Sequence, residues 1–208
     1  MKSKNLINKF ITLDIETYIN ENTLIPYFIC YYDGKDFKSF ALWDYSNVVD
    51  MILDCLNSIL IRKYNGYKVY LHNLAKFDII FLLKYLVKVA KLKPIIHNGR
   101  IISLLLNYGK NLEYQIEFKD SYLILLESLF KLSKAFKVDD GKSVFPHLFV
   151  NKNNFDYIGD VPDIKYFFKI NKNDYNDYKN NFNKNWNLKY EVIKYCKLDC
   201  ISLYQVLN

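Results

Sequence analysis

The order of the apolar runs constrains this chain more than any other feature. Three β-rich runs come first: Phe10–Ile15, which ends among acids, then Tyr27–Tyr32 and Lys38–Trp43, with Asp33–Gly34 as the turn between the last two. Val49, Ile52, Leu53, Leu56, Ile59 and Leu60 then recur at helical spacing within 48–61, with Ser46 or Asn47 as N-cap. A short buried strand at 68–71 precedes a strong helix at 78–90. Ile101–Leu106 and Tyr114–Phe118 read as a hairpin, and Ser128–Phe136 as a helix. The stretch 138–160 has no period and reads as loop. The stretch 172–187 is polar and weakly patterned, and 187–207 forms a long closing helix. Strands first, then strand–helix alternation, then a terminal helix predict an α/β domain with a mixed sheet.

Composition narrows the function classes. The 208 residues suit one domain, and 51% hydrophobic with 17% aromatic residues supply a packed core. No apolar run approaches the roughly 18 residues that read as a membrane span, so no membrane is expected. Four cysteines without a secretory signal exclude a disulfide scaffold, and the lack of a C-x-x-C pair speaks against structural zinc. The net charge of +7 admits nucleic acid, an anionic membrane or an acidic protein. All but two of the 29 basic residues are Lys (the exceptions are Arg62 and Arg100), and there are 23 Asn. With abundant Ile, Tyr and Phe, this is the residue usage of an AT-rich genome such as an organelle, plasmid or virus.

Acids meet apolar structure in three places. Asp14-Ile15-Glu16 is the only D-x-E in a chain with six Glu, and residues two apart on a strand share a face. Asn73-Leu74-Ala75-Lys76-Phe77-Asp78 joins a buried strand to a strong helix; there Asp78 is equally an N-cap and Asn73 a turn residue. Tyr195 and Asp199 stand at i and i+4, on one face of a helix. Each signal is weak alone. Together they offer four carboxylates to one cleft, where uncompensated charges would repel and raise one another's pKa. Two divalent cations would neutralise them, and hard oxygen ligands favour Mg²⁺ or Mn²⁺ over zinc. Paired ions of this kind suit in-line displacement at phosphorus.

The order Asp-x-Glu, Asn-x-x-x-Phe-Asp, Tyr-x-x-x-Asp resembles the Exo I, Exo II and Exo III motifs of the 3′→5′ proofreading exonuclease of family B DNA polymerases. The finer likeness is to the protein-primed branch of certain phages and linear mitochondrial plasmids. His72–Asp78 resembles its Exo II, Ser121–Leu125 its Ser-Leu motif with Tyr122 in place of the usual Leu, and Lys142–Phe145 its Lys motif.

The resemblance implies a ribonuclease H-like fold and a two-metal-ion 3′→5′ exonuclease acting on the 3′ end of single-stranded DNA. Asp14, Glu16, Asp78 and Asp199 would hold the metals, Tyr195 would orient the attacking water, and Lys142 would sit near the scissile phosphate. Thr17, His72, Asn73, Phe77, Ser121 and Tyr122 would contact the 3′-terminal nucleotides. The expected organisation is one exonuclease domain over 1–208 without the polymerase palm, encoded in a mitochondrial or plasmid genome. A separately encoded polymerase or an organellar assembly is the further partner considered. The alternative reading is a silent nucleic-acid-binding or structural remnant recruited to such an assembly.

Overall fold

The computed structural model describes residues 9–138, 144–168 and 170–208. Its frame is an antiparallel meander of β1 (Phe10–Asn20), β2 (Thr23–Tyr32) and β3 (Phe37–Ala41), followed by α1 (Val48–Ile59). Next come β4 (Tyr67–Leu71), parallel to β1, and α2 (Asp78–Val89). A second meander, β5 (Lys91–His97), β6 (Arg100–Tyr108) and β7 (Tyr114–Asp120), runs back so that β7 lies parallel to β4. The sheet order is therefore β3-β2-β1-β4-β7-β6-β5, a mixed sheet. The remainder holds α3 (Leu129–Ala135), the two-residue strands β8 (Ile158–Gly159) and β9 (Trp186–Asn187), α4 (Lys172–Asn180) between them, and α5 (Leu188–Leu207).

Alternation along β1 decides what lies on each side. Ile11, Leu13 and Ile15 point into an aliphatic core with α1 and α2. Thr12, Asp14, Glu16 and Tyr18 occupy the opposite face, where Tyr18, Phe28 and Trp186 build a second, aromatic core against α5. Thr12 Oγ1 donates to the Cys200 carbonyl at 2.7 Å and ties β1 to α5. Cys30 of β2 and Cys196 of α5 form a disulfide, with Cys200 Sγ 3.4 Å from Cys30 Sγ. This cross-link departs from the absence of a disulfide framework expected from the cysteine pattern: its partners lie 166 positions apart and no spacing rule joins them.

Most predicted elements are present, with shifted ends. Asn47 rather than Ser46 caps α1, its side chain accepting the Asp50 N–H. β1 extends five residues past Ile15 to a turn in which Glu21 and Asn22 both adopt positive φ, the geometry that matches strand twist. β5 was not expected, and the polar stretch at 172–187 contains the surface helix α4.

The Asp33–Gly34 turn is held from several sides. A Cβ at Gly34, whose φ is +92°, would collide with the Tyr204 hydroxyl of α5. Asp33 accepts N–H bonds from Lys35 and Asp36, the Tyr64 hydroxyl, and Lys63 Nζ at 2.6 Å. Burial works against its charge, but these partners more than offset it and lower its pKa to about 2. The folded value lies below the unfolded one, so the stabilisation is complete above about pH 4 and is lost as pH falls through 2. Asp33→Asn is expected to cost about 1–2 kcal/mol at neutral pH, discounted because Lys63 is half exposed. The loss should shrink toward pH 2 in urea titrations.

Candidate active site

The four carboxylates converge. Asp14 and Glu16 project from the α5 side of β1, Asp199 faces them from α5, and Asp78 opens α2 just beyond the end of β4. Glu16 and Asp78 are buried, and Asp14 and Asp199 half-buried. Burial raises Asp14 well above the usual carboxylate range, with Glu16, Asp199 and Asp78 adding repulsion. Burial likewise raises Asp78 to about 8, with Asp120 and Glu16 contributing, and Asp199 to about 7, with Glu16 contributing. Mutual perturbation of this kind requires the side chains to share one site.

Local features aim these groups. The pairing of β1 with β2 slips between Glu16 and Thr17, leaving Tyr27 as the extra residue of a bulge. The Tyr27 hydroxyl is fully buried and has no hydrogen-bond partner among the described residues, although it lies within electrostatic reach of Glu16 and Asp14. Tyr195 stands one turn before Asp199, and its hydroxyl is within hydrogen-bonding reach of that carboxylate. Burial first, then the Asp199 charge, keeps the Tyr195 phenol protonated far above neutral pH. Asp14, Glu16 and Cys196 bring ligand atoms within 4.8 Å of one another, and Cys196 Sγ lies 3.6 Å from Asp14 Oδ2. Cys196 is committed to its disulfide, so the available donors are oxygens. An oxygen set of this charge, beside an orphaned buried hydroxyl, fits a hard divalent cation with retained water.

The remaining expected residues fall into two groups. Thr17 and Phe77 line a cavity of about 390 Å³ that opens beside Glu16. His72, Ser121 and Tyr122 form a second group, at the start of the turn at 72–77. Ser121 is fully buried, and its hydroxyl donates to the Leu71 carbonyl or to His72 Nδ1. Burial lowers the His72 pKa, so the ring is neutral, with Nε2–H donating to the Glu127 carbonyl. The Tyr122 ring packs edge-on to His72, and Lys76 Nζ sits 5.5 Å above it. Asn73 adopts a φ of +94° at the head of the turn. Lys142 lies outside the described residues.

His147 escaped the sequence reading. It sits on a 3₁₀ turn (His147–Phe149) within the stretch expected to be loop, with Nδ1 3.3 Å from Glu16 Oε2 and its ring edge-on to Tyr195 at 5.0 Å. Burial pulls its pKa down, but the bonded Glu16 carboxylate and then Asp199 more than offset this, for a net rise. His147 and the exposed Phe168 also line the Glu16 cavity. A lone histidine in an aperiodic stretch carries no sequence signal.

A mixed sheet covered by helices, with acids gathered from the middle of β1, the start of α2 just past β4, and α5, defines a ribonuclease H-like domain. The chain belongs to the organellar and viral type B DNA polymerases, whose family model matches residues 58–208. It is 40% identical to a probable DNA polymerase of Neurospora intermedia over 98% of its own length, and 39% identical to one of Ascobolus immersus over 95%. It spans 24% and 17% of those two relatives. Among solved structures it is similar to Phi29 DNA polymerase complexed with single-stranded DNA, with a TM-score of 0.60 over 95% of this chain and 30% of that one at 17% identity. The complex of the same polymerase with primer-template DNA and incoming nucleotide gives 0.54 over 95% and 30% at 19% identity. At such identities the likeness speaks to the fold.

Proposed function

We propose that this chain forms a single 3′→5′ exonuclease unit that removes nucleoside monophosphates from the 3′ end of single-stranded DNA. The observation that carries this reading is the meeting of Asp14, Glu16, Asp78 and Asp199 beside Tyr195. Those four carboxylates would hold two Mg²⁺ or Mn²⁺ ions, which when bound supply an activated water and stabilise charge on the phosphate. The protonated Tyr195 hydroxyl would hold the attacking water by hydrogen bonding. The cavity lined by Thr17, Phe77, His147 and Phe168 gives an unpaired terminal base aromatic faces to lie against. Family membership and fungal relatives support DNA as the substrate class and a mitochondrial setting.

The test is a 3′-labelled single-stranded oligonucleotide incubated with Mn²⁺ or Mg²⁺. Release of labelled mononucleotide is the expected result; an intact strand, or shortening from the 5′ end alone, overturns the proposal. Phe77 is half-buried and lines the cavity beside Glu16. Phe77→Ala should weaken binding of the unpaired strand by about 1–3 kcal/mol, roughly 5- to 150-fold in Kd, measured by fluorescence anisotropy in Ca²⁺.

A further inference from the structure

One buried carboxylate beside the site has no place in the chemistry above. Asp120 ends β7, only 3% exposed, opposite Leu71 in the parallel pairing of β4 with β7. It therefore stands where β4 gives way to the turn at 72–77. Its two oxygens accept three main-chain N–H groups: Oδ1 those of Asn73 at 3.1 Å and Tyr122 at 2.9 Å, and Oδ2 that of Ala75 at 2.8 Å. Among the described residues no salt bridge reaches it, so aligned N–H dipoles compensate the charge.

The turn it grips starts from a backbone conformation that needs support. Asn73, at φ +94°, lies in the region that favours glycine, and its carbonyl accepts the N–H groups of Lys76 and Phe77. Asp120 fixes the head of this turn at Asn73 and its middle at Ala75. Phe77 and Asp78 follow at once, with Asp78 within electrostatic reach of Asp120. An asparagine could not replace it: both oxygens accept, so an amide would turn its NH₂ toward at least one N–H donor.

We infer that Asp120 is a positioning residue of this site, whose carboxylate sets where Asn73, Phe77 and Asp78 stand relative to Asp14 and Glu16. The inference rests on the exonuclease reading for its kinetic consequence but not for the clamp itself. A displacement of about 1 Å at a reacting centre costs on the order of a hundredfold in rate.

The experiment compares the wild type, Asp120→Asn, and Asp33→Asn as a variant destabilised far from the site, all at a temperature where circular dichroism shows each folded. Asp120→Asn is expected to lower kcat on an unpaired 3′ end by roughly 10- to 100-fold and to raise several-fold the Mn²⁺ concentration giving half the thermal shift. Asp33→Asn should change neither. A lowered Tm in Asp120→Asn with wild-type kcat and Mn²⁺ midpoint would reduce Asp120 to a structural role and overturn the inference. If Asp120→Asn does not fold, amide hydrogen exchange of the wild type decides. Protection of Asn73, Ala75 and Tyr122 at the level of β4 supports the clamp, and fast exchange at Asn73 and Ala75 refutes it. A wild type that releases no nucleotide would refute the nuclease reading instead, with the exchange result still reporting on the clamp.

Discussion

Replacing Asp14 and Glu16 together with alanine is expected to abolish metal-dependent release of nucleotides from an unpaired 3′ end, by roughly a thousandfold or more. Both carboxylates project from one face of β1 toward Asp199, and no other described acid on β1 can take their place. The double variant should still fold. The aliphatic core of β1 lies on the other face, through Ile11, Leu13 and Ile15, and stays intact. Circular dichroism and a Tm no lower than wild type in EDTA would separate lost chemistry from lost structure. Undiminished release would end the exonuclease reading, whatever the family.

The second large effect is on stability and has the opposite sign from most active-site substitutions. Burial holds Asp78 protonated up to about pH 8, against about 3.8 for an unperturbed aspartate. The folded state therefore binds a proton that the unfolded state has already lost, and metal-free stability falls as pH rises from about 4 to about 8. Asp199, raised to about 7 by burial and by Glu16, adds to the same slope. Asp78→Asn removes the penalty at one position while keeping the shape. At pH 8 in EDTA it should melt roughly 5–10 °C higher than the wild type. Wild type should gain Tm on addition of Mn²⁺, because only the folded chain gathers the acids, and Asp78→Asn should gain less. Scanning calorimetry from pH 5 to 9, with and without Mn²⁺, reads both effects. A metal-free Asp78→Asn that melts below the wild type at pH 8 would show that its carboxylate is compensated rather than strained.

The fold was legible where burial imposes a period. β1, α1, β4, α2 and α5 all press one face into a core, and their apolar spacing shows it. β5 was missed because nearly all of it is exposed, with Ile95 and Ile96 more than half so, leaving no alternation to read. The signal available was its turn, Asn98–Gly99, with both residues at positive φ. At the site, the residues with short-range spacing were found: Asp14 with Glu16 by the strand period, Tyr195 with Asp199 by the helix period. His147, Tyr27 and Asp120 were not, because each gains meaning only from distant chain: Glu16, a bulge, and a turn 45 to 47 positions away. Ser121 and His72 came from the resemblance rather than from any period, and both are bonded to main-chain carbonyls and to each other at the turn.

The pairing of β1 with α5 has a consequence for how this protein comes into being. Asp14 is made well before Asp199, so the acidic cluster stays incomplete until α5 has left the ribosome and docked. A ribosome that stalls before residue 195 leaves a product that holds the residues of the α1–α2 core but is devoid of Tyr195 and Asp199. The four-carboxylate site is thus completed in a single late step, the docking of α5 against β1.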